Sequence, residues 1–313
     1  MTVDARLRRW IDDGALPLPG SGRTEERWRR LAALSREDTV LGRLAEAHSD
    51  ALAILVELGG PAPGPGRIWG VWAAEPPSPV LDAFPTAEGW TLTGVKPWCS
   101  GANLCTDALV TARVGDRRRL FAVDVTQDAC TPIPDTWHAV GMADSDSGHV
   151  RFDHATAHPV GEPGAYIERP GFWHGAIAVA ACWYGSACGV ADTLHAAMRS
   201  GSDAHAAAHL GAVAAGLRAA SSSLKVAAAE IDSDPLDETG RGRFRAREVR
   251  AIVEAAASDC IDRVGRALGA SPLCANAEHA RRVADLTVYL RQSHAEKDLA
   301  ALGEDVAKED NPW

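Results

Sequence analysis

Three short groups of residues carry side chains with chemical potential. Trp98, Cys99 and Ser100 are consecutive in PWCSG, placing an aromatic face, a thiol and a hydroxyl side by side. Nothing around it activates the thiol, so Cys99 reads as a small buried cysteine. His174, in ERPGFWHGA, follows Trp173 and stands among glycines that permit close approach. Histidine titrates near neutrality and suits proton transfer; its plainer role is a ring that caps a helix start or bonds a backbone carbonyl. His205 and His209 are four apart, the spacing of a two-histidine metal grip on one helix face. Their spacer is all alanine and no third ligand accompanies them. The pair therefore reads as a solvated or interface face, and no metal is expected. Asp285 and His294 are expected to face solvent or a neighbouring subunit, as charged residues on late helices usually do.

These residues must be positioned by a substantial core. The chain has 313 residues, 46% hydrophobic and 24% charged, as in an ordinary globular protein. A formal charge of −10 repels polyanions and argues against nucleic acid as a partner. Seven cysteines without a C-x-x-C pair suit a reducing compartment, and the N-terminal residues lack the continuous apolar core of a signal peptide. A cytoplasmic protein is expected. Residues 170–191 contain no Asp, Glu, Lys or Arg and are long enough to span a bilayer. Their glycines, alanines and His174 favour a buried helix of a soluble bundle instead, so no membrane partner is expected.

The order of elements follows from the change in period. Residues 1–66 read as helices ended by PAPGPG, because proline lacks a donor and Pro-Gly alternation favours turns. Residues 67–162 read as a β-domain with strands in IWGVWA, GWTLTG, DALVTARV, RRLFAVDV and HVRFDHA, the alternation in WTLTGV and ALVTARV matching one buried face. Residues 163–313 read as a four-helix bundle. Its clearest seam is Leu210, Val213, Leu217, Ala220, Leu224, Ala227 and Ile231, capped by Ser202 or Asp203 and ended by Asp234-Pro235. A helix over about 243–268 turns Val249, Ile252, Val253, Ala256, Cys260 and Val264 inward. A last one runs over about 277–302, closed by Gly303. The fold class is α+β.

GWTLTGVKPWCSGANLCTDALVTAR at 89–113, GMADSDSGHVRFDHATAHP at 141–159 and EHARRVADLTVYLRQSHAEKDLAALG at 278–303 resemble segments of the acyl-CoA dehydrogenase family. AAEPP at 73–77 stands where that family has Thr-Glu-Pro. The resemblance implies N-terminal helices, a central small β-barrel domain and a C-terminal four-helix bundle. It further implies FAD, with Trp98 beside the flavin, the Ser100 hydroxyl bonding it, Cys99 nearby, and Ala73 and Ala74 offering main-chain donors. Trp98 as a plain core aromatic is the competing reading. Glu75 would carry over the glutamate of Thr-Glu-Pro, in a structural or a functional role. A small-molecule or acyl-thioester substrate and a homodimer or homotetramer built through the bundle are also implied.

The chain departs from the pattern in instructive places. Thr287 stands at the position of the family's catalytic glutamate, and a neutral hydroxyl is no base without an activator. The alternative location, near Val179, holds only Ala, Val, Ile and Cys. The arginine and phenylalanine that serve the flavin pyrophosphate are replaced within SGSDAHAAAHLG, and the glycine-rich turn before the last helix reads GRALGASPL. These losses set FAD binding and β-oxidation chemistry against the retained Trp98 and Ser100. The expectation is a flavin-dependent oxidoreductase of this type specialised away from β-oxidation. A flavin monooxygenase on the same fold, or a non-catalytic subunit partnering an intact dehydrogenase in a hetero-oligomer, stand as alternatives.

Overall fold

The computed structural model describes residues 2–201 and 203–310. Three helices open the chain: α1 (Val3–Asp12), α2 (Thr24–Glu37) and α3 (Thr39–Glu57). The α2 to α3 junction is one extended residue, Asp38, whose carboxylate accepts the Leu41 N–H at 3.1 Å and so caps the helix that follows. α3 ends ahead of the Pro-Gly run, as the missing proline donors require.

Seven strands follow: β1 (Trp69–Trp72), β2 (Leu81–Thr86), β3 (Gly89–Lys96), β4 (Asp107–Val114), β5 (Arg117–Asp124), β6 (Cys130–Ile133) and β7 (His149–Val160). The pairings β4–β2–β3–β7–β5 return to β4 and close a small barrel, with β1 parallel to β4 and β6 beside β7. β2 and β6 were not among the expected strands. Each contains a proline, Pro85 or Pro132, which breaks the strand pattern in sequence and is tolerated where ladder bonds are few. Trp72, Leu92, Val110, Phe121 and Phe152 fill the barrel. Ala51, Ile54 and Leu55 of α3 cover Trp69, Leu109 and Leu120 outside it. β4 is consequently buried on both faces from Asp107 to Ala112, which corrects the one-sided reading of ALVTARV.

The remaining helices are α4 (Ala165–Glu168), α5 (Pro170–Ser200), α6 (Ala204–Ser233), α7 (Gly242–Leu268), α8 (Ser271–Ala275), α9 (Ala277–Tyr289) and α10 (Glu296–Val306). Asp203 caps α6 by accepting from the N–H groups of His205 and Ala206, whereas Ser202 lies outside the described residues. The seam on α6 is buried at Val213, Ala220, Leu224, Ala227 and Ile231. On α7 the inward face carries Val249, Val253, Ala257, Cys260 and Val264, and Ile252 is 42% exposed, not inward. At about 100° per residue Ile252 falls roughly 100° from the centre of that face.

The expected last helix is broken. After α9 and a 3₁₀ turn at Leu290–Gln292, Ser293 caps back onto Ala295 N, Ala295 takes φ +46°, and α10 begins. Ser293 also donates to Glu254 at 2.6 Å and Asp298 accepts the His294 N–H, so side chains take over where the helix ladder stops. Gly303 lies inside α10 and closes nothing.

Among the described residues the chain forms two compact units. One comprises 2–16, 43–139 and 143–172; the other comprises 17–42, 140–142 and 173–310. In the second, α5 is the one described helix long and apolar enough to cross a membrane, and 72% of its apolar window is buried there. Its packing on α2 explains the composition: a Cβ on Gly185 would stand 2.0 Å from Ala32 O, and one on Gly189 2.7 Å from Arg36 O. The two glycines let the backbones meet.

Candidate functional site

The segment after β3 is irregular and is stitched to the stretch before β7. Cys99 N donates to Gly148 O at 2.8 Å, Gly101 N to Ser145 O at 2.8 Å and Ala102 N to Asp146 O at 3.1 Å. Asn103 gives its backbone and side-chain N–H groups to the Asp146 carboxylate at 2.9 and 2.7 Å. From the barrel, Trp72 Nε1 donates to Ser100 O at 3.0 Å.

Pinned on both sides, Trp98 takes φ +55° and is 53% exposed between buried Pro97 and Cys99. A left-handed backbone costs a non-glycine residue about 1–2 kcal/mol, so the surroundings hold the indole outward against its own preference. The core-aromatic reading of Trp98 is thereby corrected: Trp72 and Phe121 fill the barrel, and Trp98 does not.

Ser100 lies under the surface. Its hydroxyl is 2.9 Å from that of Ser147, which is 2.8 Å from that of Ser145. Three hydroxyls have three protons for two internal bonds, so one proton of the three is directed outside the chain. Ser145 and Ser147 were present in GMADSDSG without an assigned role. The hydroxyl spacing in that stretch was the available clue.

Cys99 is buried with its thiol 3.2 Å from Lys96 O. Desolvation pushes its pKa well above the ordinary value despite nearby Lys96, leaving a protonated and inert thiol. Ala73 and Ala74 follow β1 in irregular, half-buried backbone. Glu75 is an ion-pair hub: it accepts from Lys96 Nζ at 2.8 Å, from Arg118 Nε at 2.8 Å and from Thr111 Oγ1. Lys96 spends its other two protons on Thr111 O and Oγ1 at 2.7 and 2.8 Å. Burial works to raise the Glu75 carboxyl, but the bonds from Lys96 and Thr111 outweigh it and hold the pKa below the ordinary value. Desolvation lowers the Lys96 pKa against the pull of Glu75. The network locks β1's continuation to β3, β4 and β5.

The other residues singled out by sequence belong to the second unit. His174 is 3% exposed in the second turn of α5. Thr287 is exposed, and its hydroxyl donates to Val283 O of its own helix at 2.7 Å. Asp285, expected at the surface, is 4% exposed and accepts the Met142 N–H at 2.6 Å. Gly141 is required beside it, since a Cβ there would stand 2.0 Å from Ala284 O. The Gly-Met pair of the motif is thus a docking point for α9. His294 is exposed and lies 3.4 Å from Asp298. His205 is exposed and His209 half-buried, and no group of three metal-ligating side chains occurs among the described residues.

No family model matches the chain and no curated protein matches it. Solved structures do. TdsC of Paenibacillus sp. A11-2, in complex with FMN and indole, superposes with a TM-score of 0.77 at 18% identity, over 88% of this chain and 82% of that one. The chain has the same fold. It is the acyl-CoA dehydrogenase-like fold. A nitrososynthase from Micromonospora carbonacea var. africana matches with a TM-score of 0.76 at 19% identity, covering 92% and 83%. The methanesulfinate monooxygenase MsuC of Pseudomonas fluorescens matches with 0.74 at 18%, covering 91% and 84%.

Proposed function

We propose that this chain is a flavin-dependent monooxygenase that takes a small-molecule substrate. The observation that carries the reading is Thr287. At the place of the family glutamate there is an exposed hydroxyl bonded to its own helix, so no carboxylate there takes a proton α to a thioester. Around Val179 the chain again has no carboxylate. Oxygen transfer needs no such base. Support also comes from the similar structures, which include TdsC with FMN, named a dibenzothiophene monooxygenase, and MsuC.

The residues present fit a flavin. Trp98 offers an aromatic wall held outward by its backbone, and the Ser145–Ser147–Ser100 chain can hand a proton toward its Ser100 end. When bound and reduced, a flavin would supply the two electrons that dioxygen needs to deliver one oxygen atom to substrate. The chain's own part is to wall, orient and hydrogen-bond. FMN replaces FAD in this reading. The missing arginine serves the pyrophosphate that only the dinucleotide has, and the glycine-rich turn has given way to α8 with Pro272 in its first turn. Assembly as a homodimer or homotetramer belongs to the same proposal, supported by the exposed and charge-free outer face of α6 over 204–216. Light scattering on the purified protein tests it.

The deciding experiment is a visible spectrum after incubation with FMN or FAD, oxidised or reduced, and gel filtration. FMN retained in preference to FAD, oxygen uptake from the reduced complex and no bleaching by acyl-CoA are expected. Bleaching by acyl-CoA would make the chain a dehydrogenase. Retention of neither flavin would leave the non-catalytic subunit.

A further inference from the structure

A cavity of about 170 Å³ opens within the first compact unit between the end of α1, the middle of α3 and residues 63–67. Trp10, Ile11, Leu16, Leu52 and Pro65 make its wall largely apolar, and His48 is set into it. None of its lining residues belongs to the Trp98–Ser100 segment.

His48 is 6% exposed, and its Nδ1 accepts the Trp69 N–H at 3.2 Å. That bond fixes the tautomer, because an Nδ1 that accepts leaves the proton on Nε2. His48 lines the cavity, and with Nδ1 taken by Trp69 N the Nε2–H is the donor the ring has left to offer there. Burial lowers the pKa of His48 to about 4, so the ring is neutral at physiological pH. The neighbouring polar groups are committed elsewhere. Ser49 gives its proton to Ala45 O at 2.8 Å, and Arg67 forks onto Asp107 at 2.5 and 2.7 Å and reaches Asp124 at 2.8 Å. An apolar cavity of this size matches one aromatic ring, since a void of about 150 Å³ accommodates benzene. A buried neutral donor without a nearby uncommitted charge selects a neutral acceptor over an ion.

We infer that this cavity is a binding site for a small, uncharged, single-ring molecule that offers one hydrogen-bond acceptor to Nε2 of His48. The inference does not depend on the flavin reading. Fluorine NMR of the full chain, titrated with 4′-fluoroacetophenone and in parallel with fluorobenzene, tests it. The ketone should bind saturably and about fivefold more tightly than fluorobenzene, the difference one hydrogen bond makes. His48→Asn keeps an acceptor for Trp69 N, while its amide N–H groups, on a shorter side chain, stand short of the place Nε2 occupies; it should erase the preference while leaving fluorobenzene binding unchanged. Leu52→Trp, which fills the cavity, should abolish both. Absence of saturable binding, equal affinity for the two probes, or a preference that survives His48→Asn would each overturn the proposal. So would ketone binding that Leu52→Trp leaves intact, which would locate it elsewhere. Should Leu52→Trp fail to fold, the His48→Asn comparison decides alone.

Discussion

On the proposed reading, Trp98 is the residue at which stability and function pull apart. Its φ of +55° and 53% exposure mean that the barrel gains little from the indole and bears the cost of its backbone. Trp98→Gly is expected to keep thermal stability within about 1 kcal/mol of the parent, because glycine relieves the left-handed strain. Retained flavin should fall more than tenfold in the same variant. A melting curve and an absorbance spectrum on one preparation read both, and a large loss of stability with flavin retained would make Trp98 a structural residue. Trp98 itself was legible in the sequence because a Trp-Cys-Ser run ahead of a strand is conspicuous. The Ser147 partner of Ser100 was not, since 47 residues separate them and only the closing of the barrel brings their hydroxyls to 2.9 Å.

Among the elements, α5 and α6 show that the same residue type can have opposite consequences. Gly185 on α5 has Ala32 O where a Cβ would go, whereas Gly211 on α6 has nothing within 4 Å. Helix propensity alone favours alanine over glycine by about 1 kcal/mol at either site. Gly211→Ala is therefore expected to raise stability by up to about 1 kcal/mol. Gly185→Ala is expected to lower it by about 2 kcal/mol, because α2 must move to admit the methyl. Urea denaturation of the two variants gives both signs, and two changes of equal sign would remove close packing as the reason for the glycines in α5. The charge-free run that made this helix resemble a membrane span is thus the surface against which α2 lies.

For the molecule as a whole, pH reports what burial has done to its ionisable groups. Burial lowers the His48 pKa from 6.5 to about 4, and desolvation with Arg282 lowers that of His279 in the other unit. In the window from about 4 to 6.5 the unfolded chain then binds more protons than the folded one. Stability is complete above 6.5 and is lost as pH falls through that window. At about 1.4 kcal/mol per pKa unit, the His48 contribution reaches about 3 kcal/mol. Glu75 acts in the same direction, its depressed pKa contributing stability that is lost only at lower pH. His48→Asn is expected to flatten the urea midpoint between pH 6.5 and 5, where ordinary carboxylates contribute little. An unchanged slope would mean that His48 stays accessible to protons in the fold.

Hydrophobic period, the Pro-Gly run and helix-stopping residues determined, by the sequence alone, the order of helices, then strands, then helices, because each is local along the chain. They also carried the quoted motifs and the missing carboxylate at Thr287. Local rules did not reach β2 and β6, whose prolines mask the strand pattern, nor the break at Ser293, which depends on Glu254 from another helix. Tertiary structure alone decided that Trp98 faces outward, that Asp285 is buried against Met142, and that His48 presents a neutral donor to a cavity. Each of these is settled by atoms that meet only when distant segments pack, and by the loss of water that packing brings.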